Sequence, residues 1–356
     1  IYAGVYGAYS ELTQKEDSGR VVNLNQYIGH KDAVRSVQHS KDGKTIYSAG
    51  SDGQVLKWDA AKKTYQVIYA APDVQRVVNI SSDERYLAMG TENNNIILID
   101  LKAISSRPLQ LDGHFGGTVY DLVFLPDNKG FISTGKDGRI LMSDFSTSKE
   151  IKKVPSPVKA LALSPDGKTL ACGAENGEVY VIDLTSSDYA TSKIWQKDRD
   201  KERVEAVVFN NAGDKLAFGD YQGNVVIWDM VTKQQYGVTL TGFGAQISAV
   251  EFSPNDRLIA ASSKDKTVRF WDLNNIYDLP TVLDDHGDWV WDISFNPDGE
   301  HILTASKDGF IRNFPLKSDE MALLINENFI KRNMTTTEWY QYVDEEIEYV
   351  ETIKGL

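Results

Sequence analysis

The chain has little cysteine and little histidine. Cys172 is its single cysteine, and five histidines occur in 356 residues. One cysteine allows no disulfide within the chain, which is typical of a reducing compartment, and we therefore expect a cytoplasmic protein. No two histidines have metal-ligand spacing and no cysteine cluster exists, so the sequence predicts neither a metal site nor a cofactor.

Long apolar runs and catalytic motifs are missing as well. No run approaches the roughly 18 apolar residues of a membrane span, and no signal peptide is visible, so we expect no direct insertion into a membrane. Neither a P-loop nor a Gly-x-Ser-x-Gly nucleophile motif occurs. Turns and repeat motifs account for the aspartates and for most of the histidines, and we expect that the protein is not an enzyme.

Positive charge is in short supply. The chain carries 51 acidic and 38 basic residues, which gives a net charge of −13. Such a chain repels phosphate backbones and anionic membranes, so we expect no nucleic-acid partner. Because the sequence begins with Ile1 rather than methionine, we also expect it to be part of a longer polypeptide.

The sequence does contain an internal repeat built on two turns. The first turn is SKDGKTI at 40–46 and SPDGKTL at 164–170, and the second is SDGQV at 51–55 and KDGRI at 136–140. The aspartates of the two turns lie ten positions apart, as Asp42 and Asp52 do. Six residues after the second aspartate position stand, repeat by repeat, Trp58, Ile99, Ser143, Ile182, Trp228, Trp271 and Phe314.

These repeats predict β-strands. Asp-Gly and Asn-Gly accept the positive φ angles that two-residue hairpins need. Alternating runs such as VEAVVF at 204–209 precede the first turn, and runs such as VVIW at 225–228 follow the second. Each repeat therefore predicts three antiparallel strands and a more variable fourth. Seven repeats of this length predict an all-β, seven-bladed propeller over residues 22–315.

Several repeats carry a recognisable signature. Trp-Asp stands at 58–59, 228–229 and 271–272, and Gly-His at 29–30 and 113–114. In these features the chain resembles the WD-repeat family. The resemblance implies a buried hydrogen-bonded chain of His, Ser or Thr, Asp and Trp, which the first repeat supplies in full with His30, Ser48, Asp52 and Trp58. The third and seventh repeats lack the tryptophan, and the other four lack the histidine.

The two ends of the sequence differ from the repeats. An open ring would expose sheet edges, so we expect a strand around residues 22–28 to close the ring. Tyrosines at helical spacing predict the end of a preceding helix over residues 1–13, and they could equally pack against the propeller. Residues 316–356 predict an acidic tail with short helical segments.

The tail bears on function. RNMTTTEWYQYV at 332–343 resembles the segment that follows WD-repeat propellers in bacterial proteins with a STAND-type NTPase. The resemblance implies a protein- or peptide-binding scaffold or sensor, the C-terminal domain of a larger bacterial signalling NTPase. A free-standing scaffold with constitutive partners is an open alternative, and a propeller hydrolase or lyase is a third.

The resemblance also points to a binding face, since WD-repeat proteins commonly bind partners beside the first strand and the second turn. Two repeat positions there, together with Trp289, give the candidate partner-binding residues: Arg35, Arg76, Tyr120, Lys136, Lys159, Glu205, Tyr221, Lys264, Trp289, Trp291 and Lys307. Arg, Trp and Tyr dominate interface energetics. A basic centre on an acidic body suggests an acidic or phosphorylated peptide as partner. Alternatively, Trp291 partly fills a central channel and Trp289 covers a neighbouring blade.

Overall fold

The computed structural model describes residues 16–17, 20–21, 26–115, 117–196 and 203–316. These residues form seven four-stranded antiparallel sheets, besides a short strand pair, Glu16–Asp17 with Arg20–Val21. Their one short helix is a 3-10 turn, Leu273–Asn275. The chain is thus a seven-bladed β-propeller, as predicted. The helices expected at 1–13 and in the tail lie outside the described residues.

The sheets are called blades 1 to 7 here, and their strands run from the innermost to the outermost. Blades 1 to 3 consist of Val34–His39, Thr45–Gly50, Gln54–Asp59 and Tyr65–Ala70; Gln75–Ile80, Tyr86–Thr91, Asn95–Asp100 and Leu109–Asp112; and Val119–Phe124, Phe131–Gly135, Arg139–Ser143 and Ser148–Lys153. Blades 4 and 5 consist of Val158–Leu163, Thr169–Ala174, Glu178–Asp183 and Thr191–Gln196; and Val204–Phe209, Lys215–Asp220, Val225–Asp229 and Gln234–Gln235. Blades 6 and 7 consist of Ile247–Phe252, Leu258–Ser263, Val268–Asp272 and Thr281–Leu283; and Val290–Phe295, His301–Ser306, Ile311–Pro315 and Gln26–Tyr27.

The fourth strand of blade 7 comes from the beginning of the chain. Gln26 lies opposite Arg312 and Tyr27 opposite Ile311, so a strand that precedes blade 1 completes the last sheet. The innermost strands of blades 7 and 1 are also in contact. The predicted closure by the N-terminal strand is confirmed, and it covers an edge that would otherwise be free to pair with another chain.

The turns have the backbone geometry that their residues predict. The residue after the second-turn aspartate position has a positive φ in every blade, at Gly53, Asn94, Gly138, Gly177, Gly223, Lys266 and Gly309. Gly53 has φ +74°, and a Cβ there would come within 1.8 Å of the Ala71 carbonyl oxygen. Turn chemistry therefore fixes the lengths of the inner three strands.

The hydrophobic core is divided among the gaps between blades. Seven buried apolar clusters occur in the described residues, and each joins two neighbouring blades. Between blades 7 and 1, for example, Tyr27 and Trp58 pack with Leu303 and Ile311. Most of the buried apolar side chains thus lie between the sheets, and the cavity at the centre of the wheel is lined by charged and aromatic as well as aliphatic residues.

Candidate functional site

A β-bulge interrupts the innermost strand of every blade directly after its first residue. In blade 1 the pairing register shifts between Val34 and Ser36, and the other six blades shift at the same place. A bulge re-aims the side chain of its extra residue. The seven bulge residues all line one central cavity of about 250 Å³: Arg35, Arg76, Tyr120, Lys159, Glu205, Ser248 and Trp291. We call these seven residues the channel mouth.

The second turns lie on the same face as the channel mouth. In each blade, the backbone N–H that begins this turn donates to a carbonyl just before the innermost strand. The seven donors are Ser51, Glu92, Lys136, Glu175, Tyr221, Lys264 and Lys307, at 2.8–3.3 Å from their acceptors. We call this side of the wheel the mouth face. The structure therefore brings all eleven candidate partner-binding residues to one face.

Two aromatic rings at the channel mouth each lie close to two cations. The Trp291 ring lies between two cations, with the Arg35 guanidinium 4.4 Å and the Lys264 ammonium 4.5 Å from its centroid. Tyr120 is placed in the same way, with Lys159 at 4.1 Å and Arg76 at 5.4 Å. Such contacts hold the rings and the charges in fixed relative positions.

Trp289 extends this arrangement outward. Its ring meets Trp291 edge to face at 5.6 Å, and Lys307 and Lys264 lie 4.1 and 4.7 Å from its centroid. Lys307 also pairs with Asp288 at 3.3 Å. Trp291 thus lines the channel, and Trp289 contacts Lys264 of the neighbouring blade. These contacts are compatible with a packing role and with a partner-binding role for both residues.

Two candidates lie farther from the centre. The Tyr221 side chain is exposed, and Arg203 lies 5.5 Å from its ring centroid. Lys136 is exposed as well, and within the described ranges its side chain makes no hydrogen bond or ion pair. Both are available to a partner, but neither belongs to the cation–aromatic cluster around the channel.

The charges at the mouth perturb one another. Burial raises the pKa of the Glu205 carboxyl, although Lys159 and Lys264 act in the opposite direction. Burial lowers the pKa of Lys264, with Glu205 opposing and the nearby Arg76 and Arg35 adding to the effect. Burial also lowers the pKa of Arg35, and Arg76 adds to that shift. The mouth therefore concentrates positive charge on a molecule that is acidic as a whole.

Sequence analysis missed the acidic residues deeper in the channel. Asp121 and Asp292 line the same cavity, and burial raises their pKa values to about 7 and about 6. Asp121 accepts from the backbone N–H of Leu161 at 2.8 Å, and Asp292 from that of Val37 at 3.0 Å. Each carboxyl thus satisfies the free edge of the next blade's innermost strand. The sequence did contain a signal for these two aspartates, because most other repeats have a small or apolar residue at the same position.

The comparisons with known proteins identify the family. A model described as nucleolar protein 10-like, N-terminal domain, a β-propeller, matches residues 121–321, more than half of the chain. A model described as WD domain, G-beta repeat, matches residues 22–59. The chain belongs to the WD-repeat β-propellers. Members of this family are typically scaffolds for protein interactions.

Curated relatives of this WD-repeat propeller are eukaryotic. WD repeat-containing protein SL1-17 of Schistosoma mansoni is 28% identical over 168 residues, which are 45% of this chain and 54% of that protein. Pre-mRNA-processing factor 17 of Homo sapiens is 26% identical over 223 residues, which are 60% of this chain and 38% of that protein. The serine-threonine kinase receptor-associated protein of Mus musculus is 24% identical over 257 residues, 60% and 72% respectively. The WD-repeat propeller thus spans about half or less of the first two relatives.

A solved structure shares the fold. The WD40 β-propeller domain of Doa1 superposes with a TM-score of 0.72 at 20% sequence identity, over 82% of this chain and 95% of that one. At this identity the likeness shows the fold of the WD-repeat propeller and nothing about its partners.

Blade 1 of this WD-repeat propeller contains the hydrogen-bond network of His, Ser, Asp and Trp that the family resemblance implied. The Ser48 hydroxyl donates to Nε2 of His30 at 2.8 Å and accepts from the indole N–H of Trp58 at 2.8 Å. Nδ1–H of His30 donates to Asp52 at 3.1 Å. The tautomer follows from this network, because the carboxylate can only accept.

The histidine of blade 7 has different hydrogen-bond partners. Nε2 of His286 accepts from the Thr304 hydroxyl at 2.8 Å, while its Nδ1–H donates to the Lys266 carbonyl at 3.2 Å instead of to an aspartate. Asp308, which occupies the aspartate position, pairs with Arg312 at 2.8 Å. Ser48 and Thr304 are both fully buried, so these networks lie within the packed interior of the blades.

Two further features bear on function classes. Within the described ranges, no cluster of three or more histidine, cysteine or acidic side chains is arranged to hold a metal ion. The same residues contain no helix with the length and apolar character that a membrane crossing requires.

Proposed function

We propose that this WD-repeat propeller is a scaffold that binds an acidic segment of a partner protein across its channel mouth. The observation that carries the proposal is the bulge repeated in seven blades, which turns seven side chains toward one cavity. Three of them are cationic and two are aromatic, and Lys264 adds a further cation. Arginine and aromatic side chains on a rigid frame are the groups that dominate interface energetics.

Charge supports an acidic partner segment. The chain carries a net charge of −13, so a cationic site on it requires that the fold bring several basic side chains together. A local positive patch steers an acidic segment toward the mouth face, while the acidic body disfavours nucleic acids. We therefore propose that the partner's acidic residues bind at the channel mouth and that its apolar residues pack on Trp289 and Tyr221.

The binding proposal is independent of the larger protein to which the propeller was expected to belong. The bacterial signalling-NTPase context expected from the tail finds no support in the curated relatives, which are eukaryotic. The binding proposal does not need that context, since a free-standing scaffold with constitutive partners would use the same face.

The proposal predicts that a channel-mouth variant loses its partners. Replacing Arg35, Arg76 and Trp291 together by alanine should reduce recovery of specific partners from native lysate by about tenfold or more, because hot-spot truncations at interface centres cost about 2 kcal/mol or more each. Recovery is measured by quantitative mass spectrometry of the captured proteins.

The matched control lies on the opposite face. Arg85 and Arg257 pair with Asp100 at 3.3 Å and Asp272 at 3.1 Å, at the strand ends away from the mouth. Their double alanine variant should capture the same partners as the unchanged protein. Equal recovery by both variants, with both folded, would refute the mouth as the docking site.

A further inference from the structure

Three cations line the cavity, and a fourth, Lys264, lies against the ring of Trp291. Two of these four cations lack an acidic partner. Arg76 pairs with Glu92 at 3.4 Å and Lys159 with Glu175 at 2.9 Å. Arg35 instead donates through Nε to the Ser51 hydroxyl at 2.7 Å, and its terminal nitrogens make no hydrogen bond to the described residues. Among the described residues, neither Arg35 nor Lys264 has a carboxylate within ion-pair distance.

Two neutral donors belong to residues that line the same cavity. The indole N–H of Trp291 and the hydroxyl of Ser248 are buried and find no hydrogen-bond acceptor within the part of the chain that the structure describes. Both residues line the cavity together with Arg35 and Arg76. A buried donor without an acceptor is unfavourable. Because neither atom is exposed to the cavity in this structure, a ligand oxygen would pair with them only after these side chains turn toward it.

Burial raises the pKa of the deeper carboxyls Asp121 and Asp292 to about 7 and about 6, so they are less fully ionised near neutral pH than exposed aspartates. Both oxygens of Asp121 accept backbone N–H groups, from Leu122 and Leu161. Asp292 accepts from Ile293, Val37 and the Ser36 hydroxyl. These carboxyls are engaged with the strand edges, which leaves Glu205 as the acidic residue of the mouth itself.

From this juxtaposition we propose that the channel mouth binds a phosphate monoester carried on a partner's peptide segment, and that ionised Glu205 opposes its binding. This inference rests on the proposed function and specifies which acidic group of the partner enters the channel mouth. A phosphate offers three acceptor oxygens and close to two negative charges, which suits donors that converge from several blades. A cavity of about 250 Å³ has room for such a group, since an engineered apolar cavity of about 150 Å³ in another protein admits benzene.

The test compares three pentapeptides that differ at one position. Acetyl-Gly-Ala-X-Ala-Gly-amide is titrated with X as phosphoserine, serine or glutamate, and binding is followed by tryptophan fluorescence and by NMR of the peptide. Phosphoserine should bind at least about tenfold more tightly than serine, and glutamate should fall between them. Arg35→Ala should weaken phosphoserine binding by about tenfold, whereas Arg85→Ala on the opposite face should leave it unchanged.

Glu205→Gln separates an electrostatic role from a structural one. This variant should bind phosphoserine more tightly than the unchanged protein at pH 8. The groups that face Glu205 are Lys159, Lys264, Arg203 and Glu175. Variants of the flanking cations Lys159 and Lys264 should weaken binding instead.

Three results would overturn the inference: equal binding of phosphoserine and serine, unchanged phosphoserine binding in Arg35→Ala, or unchanged affinity in Glu205→Gln. Tighter binding of single-stranded oligouridine through the same residues would assign the site to nucleic acid instead. If partner capture depends on the mouth while all three peptides bind alike, the phosphate assignment fails and the docking face stands.

Discussion

Replacing Tyr27 by alanine should lower the free energy of unfolding by about 3–5 kcal/mol, the usual cost of truncating a buried aromatic residue. Tyr27 is 2% exposed, meets Trp58 edge to face at 5.6 Å, and donates its hydroxyl to the Ala60 carbonyl at 2.9 Å. It also belongs to the strand that completes blade 7. The loss therefore loosens the contact between the first and the last blade. Urea unfolding followed by circular dichroism measures it.

The neighbouring residue provides the control. The Ile28 side chain is 64% exposed, so Ile28→Ala should change the free energy of unfolding by less than about 0.5 kcal/mol. Tyr27→Phe removes only the hydrogen bond to Ala60 and should cost about 1 kcal/mol. If Tyr27→Ala were no less stable than Ile28→Ala, the ring would not be sealed by this strand.

Replacing Ser48 by alanine should cost about 3 kcal/mol although it removes a single oxygen atom. The Ser48 hydroxyl joins His30 to Trp58, and all three side chains are buried or nearly so. Its removal leaves the Trp58 indole N–H and Nε2 of His30 without partners in the core, and an unpaired buried polar group costs about 1–3 kcal/mol. The shift of the urea midpoint at an unchanged slope reports the loss.

Ser262 is the matched control for Ser48. Its hydroxyl is also fully buried in a second strand, but it has no hydrogen-bond partner among the described residues. Ser262→Ala removes a polar group that is already unpaired, so its cost should be near zero. Equal losses in the two variants would show that the hydrogen-bonded chain of blade 1 adds nothing beyond packing.

The sequence predicted most of the fold because the turns carry the necessary chemistry. Asp-Gly and Asn-Gly pairs mark the hairpins, and their fixed spacing sets the number of blades. Closure by the N-terminal strand followed from the edge that seven incomplete repeats would leave open. The same alignment placed Arg35, Arg76 and Trp291 at equivalent positions, and the bulge that gathers them occurs at that place in every blade.

What the sequence could not predict depends on neighbours from other repeats. In the sequence, nothing distinguishes the role of Asp121 from that of the other acidic residues of an acidic chain. Its role becomes visible only in the structure, where the backbone N–H of Leu161 in the next blade donates to it. In blade 7, Arg312 takes the aspartate that the repeat pattern assigns to His286, and nothing in the spacing distinguishes these two pairings. Partners of this kind are set by tertiary packing, which a comparison of repeats with one another does not contain.

The most direct measurement of the central claim is site-specific photocrosslinking from the channel mouth. A photoreactive phenylalanine is placed at Tyr120, which lines the cavity, or at Tyr277, which is 78% exposed and lies on the outer part of blade 6. We predict that partner adducts form from position 120, disappear when Arg35 and Arg76 are replaced by alanine, and do not form from position 277. Adducts from position 277 alone, or adducts from position 120 that survive the loss of both arginines, would contradict the account.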